Sequence, residues 1–242
     1  MTSKLPRKAL IALTSHSAPF YADGRVNGVF YTEVAHPYQA LTEAGFDVDL
    51  ASETGKYVID AFSLDKQFMT DADTAIFNTP DHPFNVLLKS GVHKASDLNA
   101  AEYGMFFASA GFASVYDYPT AKMLQAVAED VWKRGGVVAS VCHGGAIFPG
   151  IKDEATGKSI IAGRDVTGFS TEGDRMVDVL EKIHGDGVKT TEESAVIAGA
   201  NYVAPPSPFE AFSVTSGRIV TGANPASAHI TAAAAIAAFE KI

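Results

Sequence analysis

Short apolar runs alternate along the chain with longer stretches of helical period. Lys8–Thr14 (KALIALT), Asp47–Ser52 (DVDLAS), Met105–Ser109 (MFFAS) and Val137–Val141 (VVASV) read as strands. The last two are continuously apolar apart from serine, the pattern of strands covered on both faces of a sheet. Val166–Phe169 and Arg218–Gly222 read as two further strands. Glu33–Ala44 (EVAHPYQALTEA) sets apolar residues near i, i+3 and i+4 and stops at Gly45, which predicts a helix; Pro37 lies early enough in it to be tolerated. Pro119–Arg134 reads as a long helix, opened by proline and closed by Gly135-Gly136, and Pro225–Lys241 as a terminal helix. Strands separated by helices predict an α/β fold, a doubly wound and mainly parallel sheet with helices on both faces. Ligands then bind at the carboxyl ends of the strands, so the residues following each strand hold the interest. Residues 57–98 lack a clear period and read as an irregular insertion in a single domain spanning 1–242.

Composition narrows the partners. Hydrophobic residues make up 47% of the chain and charged residues 19%, ample for a buried core. A net charge of −9 argues against nucleic acid and anionic membranes, which need clustered Lys and Arg. The lone cysteine excludes an intramolecular disulfide and fits a reducing, cytoplasmic setting. The opening MTSKLPRK runs straight into the first strand, so no signal peptide is expected, and the longest apolar stretch, near Ala232 to Phe239, is too short to span a bilayer.

That cysteine lies in the strongest local motif, Ser140-Val141-Cys142-His143-Gly144-Gly145. A buried strand runs into a nucleophile and then into small residues, the context of a nucleophile elbow with Cys in place of Ser. A helix N-terminus there would favour the thiolate and depress the thiol pKa. A lone Cys can equally be a packing residue. His143 can take the thiol proton if a carboxylate orients it, and the strand Val166–Phe169 is followed by two candidates, Glu172 and Asp174. Either can instead be a first-turn carboxylate of a helix. Glu33, after the loop His16 to Val29, is a third carboxyl that can face the elbow, or simply sit at a helix N-terminus. His36, His82, His93, His184 and His229 show no metal-ligand spacing.

SVCHGG, together with Glu33 in VFYTEVAHPYQ, resembles the ThiJ/PfpI superfamily, relatives of class I glutamine amidotransferases. Within it the chain is similar to the branch of glutathione-independent glyoxalases (glyoxalase III) and fungal heat-shock chaperones. KALIALTSHSAPFYADGRVNGVF, VDLASETGKY, VTGFS and GRIVTGANPASAH extend the likeness over nearly the whole chain. The resemblance implies a flavodoxin-like sandwich, usually a homodimer, with no cofactor and no metal. It implies Cys142 as nucleophile, His143 as its partner, Glu33 as acid/base and Asp174 as triad acid where relatives often carry Glu, with Glu172 as the alternative. The implied reaction takes a small carbonyl, methylglyoxal, to lactate. The sequence departs from the family at Gly111-Phe112-Ala113-Ser114, where Gly-His-Gly-Thr is common, and Gly145 stands where proline is common. Gly111, Phe112 and Ala113 are expected at the substrate rim, with Phe112 weakening methylglyoxal turnover or redirecting it to a larger, more apolar substrate. A stress chaperone, a protein deglycase and a redox sensor acting through Cys142 are the alternatives.

Overall fold

The computed structural model describes residues 5–242. The strands are β1 (Lys8–Leu13), β2 (Asp47–Ser52), β3 (Val92–Lys94), β4 (Met105–Ala108), β5 (Val137–Val141), β6 (Asp165–Val166), β7 (Asn201–Tyr202), β8 (Ser213–Ser216) and β9 (Ile219–Gly222). The helices are α1 (Thr32–Glu43), α2 (Asp71–Phe77), α3 (Pro83–Ser90), α4 (Ser114–Asp117), α5 (Lys122–Lys133), α6 (Thr171–Met176), α7 (Leu180–Gly185), α8 (Thr191–Ile197) and α9 (Ala228–Phe239). Among the described residues, seven strands form one sheet in the order β3-β2-β1-β4-β5-β9-β8, parallel throughout except for the antiparallel β8–β9 hairpin. Alternate residues of the central strands serve opposite layers. Ala9, Ile11, Leu13, Phe107 and Val141 pack in the layer that includes α1 and α9, while Leu10, Ala12, Phe106, Ala108 and Val138 pack in the layer that includes α5.

The strand order reverses between β1 and β4, so the loops leaving β1, β4 and β5 diverge around one crevice at the carboxyl edge. That reversal places the residues after Leu13, Ala108 and Val141 side by side.

The structure revises several expected elements. Of Val166–Phe169, only Val166 is strand; β6 pairs with β7 in a separate two-stranded sheet, and the chain beyond it runs as an extended connection toward α6. The helix expected over Pro119–Arg134 begins with a separate 3₁₀ turn, Tyr118–Thr120, and α5 starts only after Ala121 leaves helical geometry. The terminal helix likewise opens with a 3₁₀ turn, Pro225–Ser227, before α9. β8 was not expected. The irregular insertion holds α2, α3 and the edge strand β3, which extends the sheet beside β2. Among the described residues, no helix is long and apolar enough to cross a membrane.

Candidate active site

Val141 is extended, and the next residue, Cys142, turns sharply at φ 54°, one of two non-glycine residues in the left-handed region among the described residues. A side chain in that region is strained, and such strain is held only where packing fixes it. Here the 3₁₀ helix Cys142–Gly150 follows at once, and a Cβ on Gly144 would lie 2.4 Å from the Ala108 carbonyl. Glycine is required at that position because the elbow presses on the end of β4. The Phe169 amide donates to the Cys142 carbonyl at 3.2 Å, fastening the chain after β6 to the elbow.

Cys142 and His143 are both buried, and the sulfur lies 3.2 Å from His143 Nδ1. The far ring nitrogen, Nε2, lies 2.9 Å from Asp174 Oδ1. Asp174 is fully buried in the first turn of α6, whose N-terminus is capped by the Ser170 hydroxyl accepting from the Gly173 amide. The shorter Asp side chain therefore reaches the imidazole directly. Glu172 points away: it is largely exposed and paired with Arg175. Two aromatic rings pack against the His143 ring, Phe112 at a centroid distance of 4.7 Å and Phe169 at 4.8 Å, and they meet each other edge-on at 6.0 Å.

Glu33 enters from α1 and is fully buried. Its position is set from two sides. The Phe30 amide donates to the Ala110 carbonyl at 2.7 Å, and Val29 bridges Ile59 of the insertion. Gly111, at φ 148°, lets the two loops touch, since a Cβ there would lie 2.1 Å from the Gly28 carbonyl. The Glu33 carboxyl lies beside the Cys142 thiol and the Ala110 amide without a well-formed hydrogen bond to either oxygen. Burial pushes Glu33 up to about 8, an effect tempered by the thiol and reinforced by the negative charge of Asp60. Burial, and then the Glu33 carboxylate, also push the Cys142 thiol well above its ordinary range. The expected depression of the thiol pKa is therefore overturned: the His143 amide favours the thiolate, but desolvation and the facing carboxyl outweigh it.

The three rim residues lie where the β4 loop meets the elbow. Phe112 is buried, stacked on Phe20 at 5.5 Å and tilted against His143, and Ala113 is fully buried at the entrance to α4. Sequence reasoning missed Phe169 and Asp60. Phe169 closes a predicted apolar run and gave a faint signal; Asp60 lies in the segment without period and gave none. Among the described residues, no cluster of three metal-ligating side chains occurs.

The fold is that of a known family. The chain belongs to the DJ-1/PfpI family, whose sequence profile matches residues 26–237. It is 44% identical over 235 residues to the glutathione-independent glyoxalase HSP31 of Saccharomyces cerevisiae, covering 97% of this chain and 99% of that one. It is also 44% identical over 233 residues to glyoxalase 3 of Candida albicans, covering 96% of this chain and 98% of that one. The crystal structure of glyoxalase III from Candida albicans superposes with a TM-score of 0.94 at 43% identity, over 97% of this chain and 98% of that one.

Proposed function

We propose that the chain is a glutathione-independent glyoxalase that converts methylglyoxal and water to lactate without a cofactor, through Cys142, His143, Asp174 and Glu33. One observation carries the reading: a thiol, an imidazole and the Asp174 carboxyl in line at 3.2 and 2.9 Å, with the buried Glu33 carboxyl facing the same sulfur. The relatives' names and the likeness over nearly the whole chain support it.

The thiol proton passes to His143 Nδ1, and Asp174 accepts from Nε2–H and stabilises the imidazolium. The sulfur attacks the aldehyde carbon while Glu33 gives its proton to the aldehyde oxygen, forming a hemithioacetal. The resulting Glu33 carboxylate removes the hydrogen from that carbon, and the imidazolium protonates the ketone oxygen, giving an enediol. His143 then takes the proton of the hydroxyl on the sulfur-bearing carbon while Glu33 returns its own to the neighbouring carbon. The product is the thioester of lactate. One carbon has been oxidised and its neighbour reduced, so no external redox partner is needed. Water attacks the thioester, giving a proton to Glu33 while the imidazolium returns one to sulfur, and lactate leaves. A group with a pKa of about 8 suits this exchange of roles, because both of its forms are accessible near neutral pH.

A second substrate preference follows from Phe112. It faces His143 with an apolar ring where the family commonly has an imidazole, which supports slow methylglyoxal turnover and better use of larger, less polar carbonyls. Gly111 and Ala113 shape the same rim. A single domain, a homodimer and a cytoplasmic setting complete the proposal. Lactate formation from methylglyoxal without glutathione tests it: wild type should produce lactate and Cys142→Ala should not. Equal production by both would refute the thiol mechanism.

A further inference from the structure

Asp60 is a fully buried carboxylate, which is uncommon without a paired cation. Among the described residues it has no ion-pair partner. Arg25, the nearby cation, pairs instead with Asp23 at 2.6 Å and Asp65 at 3.2 Å, and lies over the rings of Tyr21 and Phe62. Asp60 is satisfied by hydrogen bonds alone. The Tyr21 hydroxyl donates to Oδ2 at 2.6 Å, and the Phe62 amide donates to Oδ1 at 2.9 Å.

Its backbone is tied to the segment that delivers Glu33. The Asp60 amide donates to the Val29 carbonyl at 2.9 Å. The Asp60 carbonyl accepts from the Ser63 hydroxyl at 2.6 Å, and that hydroxyl oxygen accepts from the Tyr31 amide at 3.1 Å. Tyr21 connects in the other direction. Its ring packs edge-on against Phe112, 6.1 Å between centroids, and Phe112 covers His143. Asp60 thus touches both the entrance to α1 and the loop that closes over the imidazole.

We propose that Asp60 is a positioning residue for Glu33: a buried carboxylate that ties the segment entering α1 to the insertion through Val29, Ser63 and Tyr31 and, through Tyr21, clamps the β1 loop against the Phe112 ring that covers His143. Like charges in a common low-dielectric site disfavour a second ionisation, so the charge of Asp60 adds to the burial that raises Glu33; burial also pushes Asp60 itself above its ordinary value, and the Tyr21 hydroxyl and the Phe62 and Gly28 amides offset part of that rise. The other groups facing Glu33 are the Cys142 thiol, the Ala110 amide and the more distant Tyr118 hydroxyl; those facing Asp60 are Tyr21, Arg25 and the Gly28 and Phe62 amides. None of them supplies a second negative charge at neutral pH. For its turnover readout the inference rests on the proposed reaction.

Asp60 also caps the short 3₁₀ helix Ala61–Leu64, a role that asparagine fills equally well. Asp60→Asn therefore removes the charge and keeps the cap. The test is an infrared titration of the protonated carboxyl band, assigned to Glu33 by its loss in Glu33→Gln. Wild type should titrate near 8, and Asp60→Asn about one unit lower. Tyr21→Phe keeps the charge and should leave the midpoint within a few tenths of a unit. The alkaline limb of kcat/KM should fall with the band in Asp60→Asn. An unmoved midpoint in Asp60→Asn, or an equal shift in Tyr21→Phe, would overturn the proposal. A wild type that makes no lactate would overturn the reaction, while the infrared midpoint still decides the role of Asp60.

Discussion

From Val137 to Phe148 every residue is buried, and nearly all are apolar or small. From Tyr57 to Leu98 the buried residues are Asp60, Ser63, Asp73, Phe84, Leu88 and Ala95, half of them polar. Both regions serve the same pocket, but different interactions hold them. The elbow is fixed by close packing, with glycine at 144 where any Cβ would strike the β4 backbone. The insertion is fixed by hydrogen bonds to distant chain: Ser63 to Tyr31, Asp60 to Tyr21, and His36 of α1 to Asp73 at 2.9 Å. Packing presents the Cys142 thiol, and the polar scaffold sets the carboxyl that faces it. Changes at the elbow should therefore act mainly on chemistry, and changes in the scaffold on pKa and stability.

The largest effect is expected from Asp174→Asn. It keeps the shape of the side chain but replaces the acceptor that orients His143. A loss of roughly 10³- to 10⁴-fold in kcat/KM should follow with little change in melting temperature. A loss under tenfold would show that Asp174 only fills space.

Glu33 carries a stability cost with a definite sign. Its folded pKa, about 8, lies above its ordinary value of 4.5, so the native state holds a proton that the unfolded chain releases between those pH values. Stability from this group is greatest below about 4.5 and is lost as pH rises toward about 8, by on the order of a few kcal/mol. Glu33→Gln should remove that slope and gain on wild type across the window, read from urea melts at its two ends. Parallel curves would mean that Glu33 is solvated.

Phe112→His should raise methylglyoxal turnover by about 10²-fold, since a hydrogen-bonding group replaces an apolar ring beside His143. Steady-state kinetics decide it, and no gain would show that the ring merely shapes the rim. The smallest effect belongs to the scaffold: Ser63→Ala leaves the buried Tyr31 amide unpaired and should cost about 1 kcal/mol in denaturant melts.

The comparison also explains what the sequence made legible. β5 has the bounds that its apolar run predicts, because a strand covered on both faces leaves a continuous local signature, and β2 matches its expected bounds although its first half is not buried. Cys142, His143 and Gly144 were legible for the same reason: strand, strained turn and close approach all fall within a few residues. Asp174 could be narrowed only to a pair, since the choice against Glu172 depends on which face of α6 turns inward. Val166–Phe169 was misread because an extended, buried connection carries the same apolar pattern as a strand. Asp60 and Ser63 were not legible at all. Their partners lie 39 and 32 residues away, and polar residues in an aperiodic segment ordinarily mark a solvated loop. The thiol pKa was misjudged from the same limitation: the elbow is visible locally, whereas the carboxyl facing it comes from another element.

In the proposed reaction Cys142 forms the bond to the substrate and Glu33 moves the carbon-bound hydrogen. Glu33→Gln separates the two. Incubated with methylglyoxal and analysed by intact-mass spectrometry with peptide mapping, this variant should accumulate one reversible adduct on Cys142 and form no lactate. Lactate at the wild-type rate, or no adduct on Cys142, would refute these roles.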